Sequence, residues 1–207
     1  MAMKSKSAMS NAAALGFRAH SGWAVAVAVT GSPGSPIMLD RRRIDIADAA
    51  IPGSKQPYHA AASLDVRNAE ALIGRCQESS AWLAAGAINA LVARLSETHR
   101  LVGSGILFGS GRPLPELAAI LRSHPLIHTA EGEFFREVLA RASERCSLPV
   151  KRVKEREVWD RAAGVWHLEL RPLQERIDTL GRSLGPPWRQ DEKLASLAAW
   201  IALAESA

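Results

Sequence analysis

The segment Trp23-Ala-Val-Ala-Val-Ala-Val29 constrains the fold more than any other part of the chain. Its strict alternation has the two-residue period of a strand, in which successive side chains leave opposite faces. Leu15 to Thr30 therefore reads as one long strand, with Val25, Val27 and Val29 on one face and Ala24, Ala26 and Ala28 on the other. The alanine face is small rather than polar. Both faces can thus be covered, one of them by a closely packed helix.

The remaining sequence supplies that cover. The Gly/Pro-rich run at Gly31–Pro36 is a turn, and Ile37 to Ile46 (IMLDRRRIDI) returns as an antiparallel strand. Ser63 or Asp65 starts a long helix to about Thr98, with Cys76, Leu83, Leu91 and Leu95 in its core stripe. Leu101 to Phe108 is a short apolar strand, and Pro115-Glu116 suits the first turn of a short helix. A helix from Thr129 to Cys146, a strand from Leu148 to Val153, helical Glu155 to Ala163 and a terminal helix from Asp191 to Ala204 complete the order. Two strands followed by alternating helices and strands imply a mixed β-sheet covered by helices, an α/β layered fold.

A length of 207 residues suits one domain, expected over residues 15–205, behind a disordered N-terminal tail at 1–14. Arg18 and His20 interrupt any secretory leader, and no apolar run approaches the ~18 residues of a membrane span, so a cytoplasmic protein without a membrane partner is expected. Cys76 and Cys146 are too few for a disulfide scaffold or a four-thiolate zinc site. A net charge of +5 permits an anionic partner without demanding one.

Several constellations bear on function. Arg18, His20 and Ser21 lie together on the first strand and its loop, where they either contact a phosphate or acidic group or stabilise the turn. Arg18 paired to Glu131 or Glu133 is the structural alternative. Arg41, Arg42 and Arg43 on the second strand, with Lys151, Arg152 and Lys154, extend a possible phosphate-holding surface. From Arg141 to Arg161, seven basic residues are interleaved with four acidic ones, a net of +3 that also suits a solvated helix face.

His124, His128 and Glu131 have the spacing H-x3-H-x2-E of candidate metal ligands on one helical face. Pro125 biases His124 away from helical geometry, and a zincin's Glu beside the first His is missing, so no metal and no cofactor is assigned. Tyr58-His59 is expected in a loop, with the ring packed over the sheet edge. Neither a Walker lysine nor a G-x-S-x-G elbow is present, and no catalytic residue is assigned.

The element order and the stretch Leu15-Gly-Phe-Arg-Ala-His-Ser-Gly-Trp-Ala-Val resemble the ribonuclease H-like superfamily, most nearly the RuvC-type Holliday-junction resolvases. Gly16, Ser21, Gly22 and Trp23 fill places comparable to that family's first-strand pattern Gly-hydrophobic-Asp-x-Gly-Ser-x-x-x-Gly-aromatic, with a loop some three residues shorter. Glu131-Gly-Glu133, Leu148-Pro-Val150 and the terminal DEKLASLAAWIALA extend the resemblance more weakly. It implies a fold whose active members hold two metals with clustered carboxylates. The departures matter more than the matches. Arg18 stands in the place of the first Asp, Phe108-Gly109-Ser110 where a Glu is expected, and Ala195 where the last acid falls; Glu192 matches one acid. A guanidinium repels Mg²⁺ rather than binding it. The sequence is therefore read as a non-catalytic ribonuclease H-like domain, a pseudo-nuclease that binds structured nucleic acid or a protein. The alternatives are a metal-dependent hydrolase with a non-standard site and a structural homodimer packed through Ala81, Ala84, Ala85 and Ala87.

Overall fold

A computed structural model describes residues 11–32, 35–109, 111 and 113–206. The stretch from Leu15 to Thr30, expected as one strand, belongs to two. β1 (Ala12–His20) and β2 (Trp23–Ser32) pair as an antiparallel hairpin in the register His20↔Trp23, Arg18↔Val25, Gly16↔Val27. Their turn is Ser21-Gly22, and Gly22 adopts φ +82°, a left-handed conformation that glycine enters without a Cβ clash. The two-residue turn swaps the faces, so Leu15 and Phe17 lie with Ala24, Ala26 and Ala28 rather than with the valines; large apolar residues nevertheless keep to odd positions through the turn, and only Gly22 marks the reversal. Ala12, Ala13 and Ala14, expected in the tail, are buried strand residues. Residues 1–10, Pro33 and Gly34 of the expected turn, and Ser110 lie outside the described residues.

β3 (Ser35–Asp45) pairs antiparallel with β2, as expected. β4 (Arg100–Phe108) runs parallel to β1, and β5 (Val150–Lys154) parallel to β4. The sheet order is β3-β2-β1-β4-β5.

Seven helices flank this sheet among the described residues: α1 (Pro57–Ala61), α2 (Val66–Leu95), α3 (Leu117–Leu121), α4 (His124–Arg145), α5 (Val158–Trp166), α6 (Leu170–Leu180) and α7 (Gln190–Ala204). Asp65 caps α2 by accepting the Asn68 N–H at 3.0 Å. Two expectations fail in the same way. Tyr58-His59 is helical rather than looped, and α4 starts at His124 rather than Thr129. Pro57 and Pro125 both sit in a first helical turn, where a missing N–H costs nothing and the fixed φ suits the helix. Tyr58 packs edge-on against Phe134 of α4 at 6.3 Å, not over the sheet edge.

The two faces of the sheet bury different cores. Leu15, Phe17, Ala24, Ala26, Ala28 and Ile106 pack beneath α2 and α4, among Ile88, Phe135 and Leu139. Val25, Val27, Val29 and Leu107 pack against α7, which is buried nearly all round because α5 and α6 cover its outer side. There the Trp200 ring stacks on Trp166 at 3.7 Å. The closely packed helix is thus α7, and it is seated on glycines: a Cβ at Gly16 would lie 2.6 Å from Ala199 N, and one at Gly105 would fall on the Ala198 carbonyl. Among the described residues no helix is long and apolar enough to cross a membrane.

This seating predicts opposite effects for two glycines. Gly105→Ala forces α7 off the sheet and lowers stability by about 2 kcal/mol. Gly74→Ala, where an added Cβ meets nothing within 4 Å on α2, raises it by about 0.5–1 kcal/mol through helix propensity. Chemical denaturation of both variants checks the pair.

Candidate nucleic-acid interface at the carboxyl rim of the sheet

Because β1, β4 and β5 are parallel, their last residues His20, Phe108 and Lys154 share one rim of the sheet, joined there by Trp23 at the start of β2 and Asp45 at the end of β3. In open α/β sheets this carboxyl rim is where ligands bind.

Arg18 stands at its centre. Its Nη2 donates to Glu155 Oε1 at 2.8 Å and its Nη1 to Asp191 Oδ1, with 19% of the side chain exposed. Asp191 comes from the first turn of α7, whose helix dipole favours an acid there. Its other oxygen lies 3.0 Å from His20 Nε2. The His20 ring stacks on Trp23 at 4.1 Å, and the Arg43 guanidinium lies over the same Trp23 at 4.2 Å. The register explains the row: Arg18 pairs with Val25, and Val25 with Arg43, so all three share a face. Burial, and then the positive charge of Arg18, hold His20 below its ordinary pKa of 6.5, against a smaller opposing pull from Glu155.

Glu131 and Glu133 are not the partners of Arg18. Glu133 Oε1 takes Arg136 Nη1 at 3.3 Å, beside the end of β4 at Gly109. Glu131, 5% exposed, accepts the N–H groups of Tyr58 at 2.6 Å and His59 at 3.0 Å. Burial pushes its carboxyl upward, and those two N–H groups partly offset the shift. Glu192, expected to match a family acid, instead turns back and accepts the Arg189 N–H at 2.8 Å. The acids that reach Arg18 are its neighbour Asp191 and Glu155, which the sequence left unmarked. With both bonded to one guanidinium, and with Gly109 and Ala195 offering no carboxylate, the rim does not fit a pair of divalent ions.

The expected basic surface is divided by the sheet. Arg41 is a clamp, donating to the carbonyls of Gly185 at 2.8 Å, Pro186 at 3.1 Å and Pro187. Arg42 pairs with Asp40 at 2.6 Å. Arg43 pairs with Asp45 at 3.0 Å yet stays 56% exposed. On the far edge, Lys151 reaches Glu205 at 3.5 Å, Arg152 meets Glu137 at 2.9 Å, and Lys154 lies 3.4 Å from Glu157. Ser21, exposed in the hairpin turn, lines a small pocket of about 190 Å³ with His20, Gln56 and Glu131.

The same pocket borders a histidine cluster. Since α4 starts at His124, His124 and His128 lie one turn apart with ring centroids 4.4 Å from each other, and His59 of α1 sits 5.6 and 4.7 Å from them. Glu131 is not in this set; it lies behind it, 3.5 Å from His59 Nδ1. Pairing of His59 with α4 depends on α1, which the sequence reading placed in a loop.

The layered sheet with two antiparallel and two parallel pairings is a ribonuclease H-like α/β fold. Among solved structures, Thermus thermophilus RuvC in complex with a Holliday junction substrate is similar at TM-score 0.51 and 10% identity, over 92% of each chain. A second Thermus thermophilus RuvC structure gives TM-score 0.49 and 12% identity, over 91% of this chain and 92% of that one. No protein-family model matches the chain, and neither does any curated protein.

The Arg18 network predicts a linked pair of changes. Arg18→Ala leaves Asp191 and Glu155 without their cation and costs about 1–3 kcal/mol, less than a fully buried pair because water screens these partners. His20 then titrates at higher pH than in the parent protein, which NMR detects. In the parent, a lowered His20 pKa means that the neutral imidazole is favoured by folding. Its contribution is complete above 6.5 and is lost as pH falls through the lowered value.

Proposed function

We propose that the chain is a non-catalytic ribonuclease H-like domain that binds duplex or branched nucleic acid along the carboxyl rim of its sheet. The observation that carries this reading is Arg18 at the rim's centre, bonded to Asp191 and Glu155. It puts a cation where the resemblance implies a metal-binding Asp, and it offsets one of the two acidic charges there that repel a phosphate chain. Arg43, 56% exposed and lying over the Trp23 ring on the same face as Arg18, is the cation at this rim best placed to meet a phosphate. The similar Thermus thermophilus structure holds a Holliday junction, which makes a four-way junction the first probe.

Fluorescence anisotropy with a four-way junction and a duplex of equal length tests the reading. Binding is expected to weaken steeply with salt, and Arg43→Ala is expected to reduce the salt slope by about 1. No cleavage is expected with Mg²⁺ or Mn²⁺. Affinity at ~150 mM salt no greater than that of an unrelated basic protein overturns the proposal.

One observation favours a protein partner as a second reading. Trp82 on α2 is 75% exposed, beside a groove of about 1600 Å³ between α2 and α4 that Tyr58, Phe108 and Phe134 also line. Of the alanines expected in a homodimer face, Ala84 is instead buried in the core. If a second copy covers the groove, sedimentation finds a dimer that Trp82→Ala converts to monomer; a monomeric parent at micromolar concentration removes this reading.

A further inference from the structure

We infer that His59, His124 and His128 form a binding site for a divalent transition-metal ion, Zn²⁺ foremost. This site is distinct from the carboxylate position at Arg18 and independent of the nucleic-acid reading. One ligand nitrogen from each ring lies within 4.8 Å of the other two. A tetrahedral Zn²⁺ with bonds of about 2.0–2.1 Å sets its nitrogens ~3.3 Å apart, so small rotations about the side-chain torsions close the site. The two α4 histidines are exposed, whereas His59 is half-buried.

Glu131 is the second observation. It is 95% buried by its 5% exposure, and its Oε2 has no hydrogen-bond partner among the described residues. Its Oε1 lies 3.5 Å from His59 Nδ1, which leaves His59 Nε2 to face an ion. A carboxylate behind a histidine fixes the tautomer and orientation of a metal ligand and raises its basicity. The Tyr58 and His59 N–H groups offset the desolvation of Oε1 only, and Oε2 meets no donor among the described residues. Imidazole nitrogens suit Zn²⁺, Ni²⁺ and Cu²⁺ rather than Mg²⁺ or Ca²⁺. Three protein ligands leave a fourth position for water or an anionic oxygen, and His59, His128 and Glu131 also line the pocket that holds His20 and Ser21.

The test uses the full chain without a histidine tag, titrated with Zn²⁺ against a chromophoric chelator and with Co²⁺ as a spectroscopic probe. One ion per chain is expected, with sub-micromolar affinity and the intense visible bands of tetrahedral Co²⁺. His124→Ala and His128→Ala, at exposed positions, are each expected to weaken Zn²⁺ at least 100-fold while the metal-free protein melts as before. Glu131→Gln is expected to weaken it about 10–100-fold. Zn²⁺ binding no tighter than ~10 μM overturns the inference, as does binding undiminished in the His124→Ala/His128→Ala double variant.

Discussion

Helix α7 rests with its backbone against β1 and β4 because Gly16 and Gly105 present no Cβ, and the positions of the charges at the carboxyl rim follow from that contact. The seated helix brings its first turn over the end of β1, so Asp191 meets Arg18 and His20. The chain leading into α7 is fixed by Arg41, whose guanidinium collects the carbonyls of Gly185, Pro186 and Pro187. Arg189 and Glu192 then close a capping box that turns Glu192 away from the rim. One acid faces the sheet and its neighbour serves the helix end.

The acids of the resulting rim are engaged by cations, two of them sharing the one charge of Arg18. A cluster of carboxylates at a sheet end invites cations, but Asp191 and Glu155 share Arg18, and Glu133 is paired with Arg136. What remains available to a ligand is positive charge at the edges, above all Arg43, with the Trp23 ring stacked beneath it. Many of the basic residues counted toward the net charge are spent on structure: Arg41 on a loop, Lys151 and Arg161 on Glu205, Arg152 on Glu137. Net charge states the excess of cations over acids, not how many cations are free.

The histidine cluster rests on a different contact, the packing of short helix α1 against α4. Glu131 joins the two by accepting both Tyr58 and His59 N–H groups, so the same buried carboxylate that caps α1 also positions His59. Zn²⁺ bound there would add a tie between two elements that Tyr58 against Phe134 and this side chain already join.

Periodicity determined most of the strands, the long capped helix α2 and the mixed α/β layering. Each of these is a local property, written in spacing and in residue type. The hairpin inside Leu15–Thr30 was almost invisible, since large apolar residues keep to odd positions through the turn although the turn swaps their faces; the proline-started helices α1 and α4 were misread because proline inside and proline at the start of a helix look alike until the boundary is known. The partners of Arg18 and the third histidine were beyond reach altogether. Asp191 lies 173 positions from Arg18 and His59 65 positions from His124, and no local pattern encodes such separations. The sequence determined which groups the chain carries and on which elements; the seating of α7 on two glycines and of α1 on α4 decided which of them meet, because contact between distant side chains depends on how surfaces pack and not on how residues are spaced.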